Sequence, residues 1–347
     1  TMEREALVLD AQAAAMAARN HNGLVIVQVE RIAAAGTLDP RQVIVPGVLV
    51  DCVVLAKPEM HRQTYATAYN AAFAGELRVP VDRIAAAKLD ERKLIARRCA
   101  FELPLGGVVN LGIGVPEVVA AVAAEERVLE HLTLTAEPGV IGGMPQGGLD
   151  FGAAINVQAL LHQNQQFDFY DGGGLDLACL GMAEVDRFGN VNVSRFGPKL
   201  AGAGGFINIS QNARKLVFAG SFTAGGLEVA IEDGRVRIAA EGRQRKFVEA
   251  VEQVTFSGPT AAARGQQVLY VTERCVLELT TEGLRLVEIA PGIDVERDIL
   301  GKMDFRPQVA PFGELRTMDS RIAQPKPMQL FGALLDLQLA DRLSYDA

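Results

Sequence analysis

The sequence contains no tryptophan, four cysteines and four histidines in 347 residues, and only 6% of it is aromatic. Each shortage removes a class of protein. Cys52, Cys99, Cys179 and Cys275 lie far apart with no CxxC spacing, and the histidines are equally scattered. A zinc site therefore has little support, and no metal is expected. Cys52 and Cys179 stand in largely apolar strings, where a free cysteine behaves as a small hydrophobe. Positive charge is short as well: 34 Lys and Arg against 42 Asp and Glu leave a net charge of −8. No long basic stripe survives that balance, so nucleic acid is not an expected partner. Long apolar runs are missing too. The best candidate, 47–56, is short and carries Asp51, far from the roughly 20 residues of a spanning helix. No charged segment followed by an apolar one opens the chain in the manner of a signal peptide. The expectation is a cytoplasmic protein without a membrane partner.

What is present points to a folded α/β chain. Hydrophobic residues make up 49% and charged residues 22%, which excludes a disordered chain. The length suggests two domains or one large α/β unit. Glycine is in excess, with 35 residues, and 22 of them lie between Gly106 and Gly226. No triplet period organises them, so collagen is excluded. The middle third requires backbone where side chains would be in the way.

The pattern predicts a helix over Glu3 to Asn20, a buried strand over Gly23 to Glu30, and short strands over Val43 to Val45 and Val48 to Leu55. The stretch from Lys57 to Val81 reads as a connecting segment. Asp90 caps a helix from Glu91 to Leu103, whose Arg92, Lys93, Arg97 and Arg98 read as a solvated face rather than a phosphate clamp. A βα unit follows: strand Val108 to Leu111, turn Gly112-Ile113-Gly114, and a helix from Pro116 to about Val128. Further strands are predicted at His131 to Thr135, Asp176 to Leu180, Asn190 to Ser194 and Lys215 to Ala219. A hairpin turns at Asp233-Gly234, and strands at Val268 to Thr272, Val276 to Leu279 and Leu284 to Ile289 follow. The fold class is α/β, with an open, mostly parallel sheet flanked by helices and an added antiparallel region near the C-terminus.

Several constellations can carry chemistry. Gly112-x-Gly114 at a strand-to-helix junction lacks the third glycine of a dinucleotide fingerprint, because Glu117 stands there. It suits either a tight turn without a ligand or an anion held by a helix N-terminus. Glu137 stands near a strand end, followed by Pro138-Gly139-Val140-Ile141-Gly142-Gly143. Pro138 pushes Glu137 toward an extended backbone, and Gly139 permits the turn. Such a carboxylate serves as a metal ligand, a general base or a nucleophile, though a lone Glu at a strand end is usually a solvated charge. Gly172-Gly173-Gly174, and Lys199 to Phe206 with Gly202, Gly204 and Gly205, suit close backbone approach to a large ligand. Lys199 is placed to meet an anionic phosphate, or is an ordinary surface lysine. Asp176 and Asp186 lie beside strands as turn caps.

Taken in order, these segments closely resemble the family I coenzyme A transferases, especially the fused acetate/propionate and 3-oxoacid enzymes. The matching residues run from Asn110-Leu-Gly-Ile-Gly-Val-Pro through Glu137-Pro-Gly-Val-Ile-Gly-Gly and Gly172-Gly-Gly-Leu-Asp-Leu. They continue through Gly181-Met-Ala-Glu-Val-Asp-Arg-Phe-Gly-Asn, Lys199-Leu-Ala-Gly-Ala-Gly-Gly-Phe-Ile-Asn and Thr272-Glu-Arg-Cys-Val-Leu to Leu286-Val-Glu-Ile-Ala-Pro-Gly. The resemblance covers nearly all of Glu3 to Phe305.

It implies that Glu137 attacks an acyl-CoA thioester and passes through an anhydride to a glutamyl-CoA thioester. A short-chain acyl group (acetyl, propionyl or 3-oxoacyl) and a small carboxylic acid are the exchange partners, and kinetics are ping-pong. CoA is then a substrate, with no tightly bound cofactor. By the family pattern Gly204 donates to the oxyanion, Gly202 and Gly205 shape its loop, and Gly112, Gly114 and Lys199 contact CoA. Pro138 departs from the Ser, Asn or Thr of many relatives and supplies no N–H. The implied organisation is 1–56 as the tail of a truncated N-terminal domain, 57–89 as a connector, and 90–347 as the C-terminal domain carrying the nucleophile. A homo-oligomer is expected. The competing readings are a non-catalytic or sugar-phosphate-binding module of a related open α/β fold, and an NAD dehydrogenase resting on Gly112-Ile113-Gly114 alone.

Overall fold

The computed structural model describes residues 1–80, 86–311 and 313–335. The end of the expected connector at Val81, and part of the 57–89 span, fall on residues 81–85, outside the described residues. Two compact units emerge: Thr1–Pro80 with Leu134–Phe169, and the rest of the described chain.

In the first unit the N-terminal helix spans Ala11–Asn20 rather than starting at Glu3. The Glu3 carboxylate accepts the amides of Arg4, Glu5 and Ala6 at 2.9, 2.8 and 3.0 Å, and Leu9 takes φ +50°. The left-handed backbone at Leu9 is what a right-handed helix cannot run through. The helix buries Ala15 against Val25 and Val45, with Ala18 and Val27 packed beside them. The predicted 23–30 strand is Ile26–Val29, and it is not buried as expected: its residues alternate between exposed and half-buried. It pairs in parallel with Cys52–Leu55, in register from Ile26↔Cys52 to Val29↔Leu55. The other predicted strand residues here adopt different forms. Val43 makes only a lone bridge to Met2, and Gly47–Leu49 is a turn of 3₁₀ helix. Cys52 is exposed rather than a core residue, while Cys99, Cys179 and Cys275 are buried. An apolar run signals a preference for burial, but its neighbours decide whether burial occurs.

From residue 57 onward this unit is built of turns, held by Thr64 Oγ1 to Asp150 at 2.5 Å and by the Asn156 side chain on both backbone groups of Val79, each at 2.8 Å. The strand Thr133–Ala136 pairs antiparallel with Val140–Ile141, which pairs in turn with Ala159–Leu160. Ala136, Val140, Ala154 and Val157 form the local core, with Leu7 packed on it.

The second unit is the α/β sheet. Val108–Leu111, Leu177–Gly181, Lys215–Ala219 and Gln267–Val271 lie side by side and parallel. Cys275–Thr280 and Gly283–Ile289 extend it antiparallel, and Gln308–Val309 closes that edge. This is the mostly parallel sheet with an antiparallel extension that the sequence pattern implies. A separate hairpin, Glu228–Glu232 with Arg235–Ala240, turns at Asp233 and Gly234, both with positive φ as a type I′ turn requires. The predicted 190–194 strand is only Val191–Asn192, paired antiparallel with Glu184–Val185. The helix after the Gly-x-Gly turn spans Glu117–Glu125 with Pro116 at its cap, and Arg127 at φ +57° ends it short of Val128. Among the described residues no helix is long and apolar enough to cross a membrane.

The helix capped by Asp90 spans Glu91–Ala100; of its four basic residues only Arg92 is on the solvated face expected. Lys93, Arg97 and Arg98 are buried, because the helix lies under other elements and each charge finds a partner. Lys93 pairs with Glu125 at 2.5 Å. Arg97 donates to the carbonyls of Ile322 at 3.2 Å and Lys326 at 3.1 Å. Arg98 forks onto Glu288 at 2.7 and 3.0 Å and reaches Glu102 at 2.6 Å. Lys215 meets Glu102 at 2.5 Å, and Arg316 meets Glu288 at 3.0 Å. Burial opposes the Glu102 charge, but Arg98 and Lys215 outweigh it and hold that carboxyl below its usual range. Glu288→Ala should cost about 3 kcal/mol of stability, the lower end for breaking a buried pair, because Glu102 stays beside Arg98. Chemical denaturation compared with Glu288→Gln checks this; an unchanged midpoint would contradict it.

Candidate active site

The glycine-rich segments form two groups, one in each unit. In the first unit, Glu137-Pro138-Gly139 is the three-residue loop between Thr133–Ala136 and Val140–Ile141. Glu137 is therefore a turn residue, directly after the strand end where the sequence places it. The loop closes through the Gly139 amide on the Ala136 carbonyl at 3.1 Å, and the Leu161 amide donates to the Gly139 carbonyl at 2.8 Å. Gly139 has φ +122°, and a Cβ there would stand 2.1 Å from the Leu161 carbonyl oxygen. No other residue fits this position without moving backbone. Glu137 is half-buried, and its Oε2 is shut off from solvent with no hydrogen-bond partner among the described residues. Burial pushes its carboxyl above the ordinary value, only partly offset by its own backbone amide. In the same unit a cavity of about 150 Å³, lined by Leu7, Leu9, Phe73, Pro138, Val140 and Phe151 among others, reaches the residue after Glu137.

In the second unit, the turn at Gly112 and Gly114 follows the parallel strand Val108–Leu111 and so stands at the carboxyl end of the sheet, where open α/β sheets receive ligands. The Gly112 amide is already committed to the Cys179 carbonyl at 2.8 Å, and the Gly114 carbonyl accepts from Arg92 at 2.8 Å. Lys199 is exposed on a two-residue strand paired with Arg195–Phe196. The loop beyond it leads into the helix Phe206–Asn212, which returns antiparallel to the strands and so starts at that same end. Asp171 holds that helix through Asn208 at 2.9 and 3.1 Å. Within the loop, the Ala201 and Gly202 amides both donate to the Ser194 carbonyl, at 2.8 and 3.1 Å. Gly204 differs: at φ +55° it faces open space, and its amide donates to nothing among the described residues.

Two polar groups at this end escaped the sequence reading. Lys246 brings its ammonium to the Met182 carbonyl at 3.1 Å, just past the strand Leu177–Gly181, and burial holds it below its usual range. Glu117 opens the helix after the Gly-x-Gly turn, with Oε1 out of solvent and unpartnered among the described residues. Nothing in a single sequence marks either one, since Lys246 lies in a basic string, Arg243 to Lys246, and Glu117 is an ordinary helix-start acid. Asp186, by contrast, is the turn cap expected, accepting the amides of Phe188 and Asn190 at 3.0 and 3.1 Å. Among the described residues no group of three or more His, Cys, Asp or Glu could hold a metal ion.

No protein-family model matches the chain. Individual proteins do. A caffeate CoA-transferase of Acetobacterium woodii is 48% identical over 332 residues, which are 94% of this chain and 63% of that protein. The acetate CoA-transferase YdiF of Escherichia coli K12 is 44% identical over 322 residues, 93% of this chain and 60% of its own length. The chain thus spans about three-fifths of the length of these curated relatives. An acetate CoA-transferase subunit beta of the same organism is 30% identical over 233 residues, 64% of this chain and 95% of the subunit. Among solved structures, the acyl-CoA transferase YdiF of E. coli O157:H7 in a thioester complex with CoA superimposes with a TM-score of 0.84. It is 41% identical and covers 93% of this chain and 60% of that one. With the beta subunit spanned almost end to end and the longer relatives matched over nearly all of this chain, the protein belongs to the family I coenzyme A transferases.

Proposed function

We propose that the chain supplies the nucleophile for transfer of coenzyme A between a short-chain acyl-CoA and a small carboxylic acid. The observation that carries this reading is the Glu137 carboxylate, which sits in a hydrogen-bonded turn with one oxygen removed from solvent and without a partner among the described residues. A carboxylate partly withdrawn from water is more basic and more reactive toward an electrophilic carbonyl than a fully hydrated one. Glu137 attacks the thioester carbonyl, and collapse of the tetrahedral adduct expels CoA thiolate and leaves an acyl-glutamyl anhydride. The thiolate adds to the glutamyl carbonyl of that anhydride and releases the acyl group as its carboxylate, leaving a glutamyl-CoA thioester. The acceptor carboxylate then repeats the sequence in reverse and leaves as the new acyl-CoA.

Each addition places negative charge on a former carbonyl oxygen. Gly204, with its free amide and open front, is the donor assigned to that oxygen, and Gly202 and Gly205 shape its loop. Gly112, Gly114 and Lys199 are assigned to CoA. The solved thioester complex of the 41% identical relative supports a covalent route. The acyl group is a short one, of the acetyl, propionyl or 3-oxoacyl kind, as the family resemblance implies. The acceptor is a small carboxylic acid; acetate and caffeate are the ones named for the relatives. The proposal includes a cytoplasmic location, self-association as a homo-oligomer, and residues 1–56 as belonging to a first domain, 57–89 as a connector and 90–347 as the second.

Acyl-CoA without acceptor should leave CoA attached to Glu137, visible by mass spectrometry of the intact protein and its peptides and removable by borohydride. Absence of any adduct on Glu137 while CoA transfer proceeds would refute the covalent route. Glu137→Ala should lower the transfer rate on the order of 10⁴-fold or more, while leaving the fold intact by circular dichroism.

The raised Glu137 pKa also carries a stability cost. A carboxyl whose folded pKa lies above its unfolded value, near 4.5, favours folding while protonated, and that contribution is lost as pH rises through the folded pKa. Glu137→Gln should therefore unfold at a higher temperature than the parent at pH 7, with the difference vanishing as pH falls below the ordinary carboxylate range. A difference independent of pH would show that the carboxyl is not held in its protonated-favouring setting.

A further inference from the structure

We propose that the second unit carries a further ligand site, at the end of its sheet away from the glycine loops, for an organic carboxylate with an apolar body. Its seat is a cavity of about 780 Å³, within the range of about 300–1,000 Å³ that holds a small molecule.

The position of the cavity follows from strand direction and register. Lys215 opens the parallel strand Lys215–Ala219, and Leu103 and Pro104 lie just before the parallel strand Val108–Leu111. All three line the cavity, which therefore stands at the amino ends of these strands. The Gly112–Gly114 turn and the Gly204 loop stand at the carboxyl ends. Val217 pairs with Leu269, and Leu269 with Glu278. By the two-residue alternation of strands, Lys215, Leu269, Val276 and Glu278 share one face of the sheet. Phe101 and Glu102, just past the helix Glu91–Ala100, complete the wall with Arg316, Arg321 and Leu334.

The class of ligand follows from which hydrogen-bonding groups are already engaged. Four cations line the cavity: Arg98, Lys215, Arg316 and Arg321. Arg98 engages every nitrogen, on Glu102 and Glu288. Arg321 does the same, on Asp319 and the Met328 carbonyl. The other two keep capacity. Lys215 has three N–H groups and one side-chain partner among the described residues, Glu102. Arg316 reaches Glu288 through Nη2, with no partner for Nε or Nη1 among the described residues, and its side chain is 68% exposed. What is left over is donor capacity, and donors call for an anion. Glu102, Glu278, Glu288 and Asp319 line the same space and balance the cations. Like-charge repulsion from them disfavours a dianion such as a phosphate monoester and admits a single negative charge. The remaining surface, at Phe101, Leu103, Leu269, Val276 and Leu334, is apolar and suits a hydrocarbon or aromatic body. A carboxylate whose body lies on those residues and whose head meets Lys215 and Arg316 satisfies both requirements.

The probe is octanoate, with octanol and octylamine as controls of equal length, titrated by calorimetry into the full chain without acyl-CoA. Octanoate should bind once per chain and about tenfold or more tighter than octanol, as a charge-assisted hydrogen bond implies. Octylamine should bind no better than octanol. Arg316→Gln, at an exposed position, should bring octanoate down to the octanol level. Ala333→Phe projects into the cavity from its lining and leaves every charge in place; it should weaken octanoate and octanol alike, by about tenfold or more. Circular dichroism checks that both variants fold. Glu137→Ala, or saturation with CoA, should leave octanoate binding unchanged. The proposal is overturned by no octanoate binding at millimolar concentration, by equal binding of the three probes, or by full binding in either cavity variant. Displacement by CoA or loss in Glu137→Ala also overturns it, because the carboxylate would then sit at the candidate active site.

Discussion

The backbone contact at Gly139 is the constraint on which the candidate nucleophile depends. Two hydrogen bonds tie Gly139 to Ala136 and Leu161, and the Leu161 carbonyl oxygen lies where any side chain at 139 would have to be. The hairpin is therefore closed by backbone alone, and Glu137 is presented from a loop that cannot relax around it. Ala136 and Val140, on either side of the loop, are core residues. Their packing anchors both ends of the turn. The result is a carboxylate with one oxygen shut off from solvent and without a hydrogen-bond partner among the described residues, and burial raises its pKa.

The second unit works by a different device. Its four parallel strands bring several loops to their carboxyl ends, and the amides there divide into spent and free. Gly112 and Gly202 use their N–H groups to hold backbone, whereas Gly204 has an open amide. A helix whose charges face inward supports the unit: Arg98, Glu102, Lys215, Glu288 and Arg316 form one connected set of ion pairs between the 91–100 helix, the central strand 215–219 and the antiparallel extension. A guanidinium that bonds two carboxylates at once resists sliding, so the network holds the registry of helix on sheet. The buried Glu273, bonded by the Phe222 amide and by Arg274, fixes the loop after the last parallel strand in similar fashion.

Much of this was legible in the residues. Lys215–Ala219 is the strand its apolar run predicts, the Asp233-Gly234 turn is where the hairpin pattern puts it, and Asp90 caps its helix. These features are local: period-two apolar patterning, a turn type that demands positive φ, and a side chain that bonds an amide three residues on. The misreadings share a cause as well. Arg98 was expected in solvent because Glu288, its partner, is 190 residues away in sequence. The first helix was expected to begin at Glu3 because helix propensity does not reveal that a carboxylate will take three amides in its own turn. Strand 26–29 was expected to be buried because its composition asks for cover, and composition cannot say whether cover is supplied.

By itself the sequence determined the kind of chain this is. The glycine clusters and strand patterns specify an α/β chain, since turn chemistry and close backbone approach are written in the residues that permit them, and the ordered motifs carry the resemblance to a known family. Only the tertiary structure decided which glycine amides are free and which are spent, that one oxygen of Glu137 loses its solvent, that Lys93, Arg97 and Arg98 lie inside, and that an apolar strand pair is left largely exposed. Each of these depends on what lies across a gap in space rather than along the chain. Desolvation and ion pairing are set by those non-local neighbours.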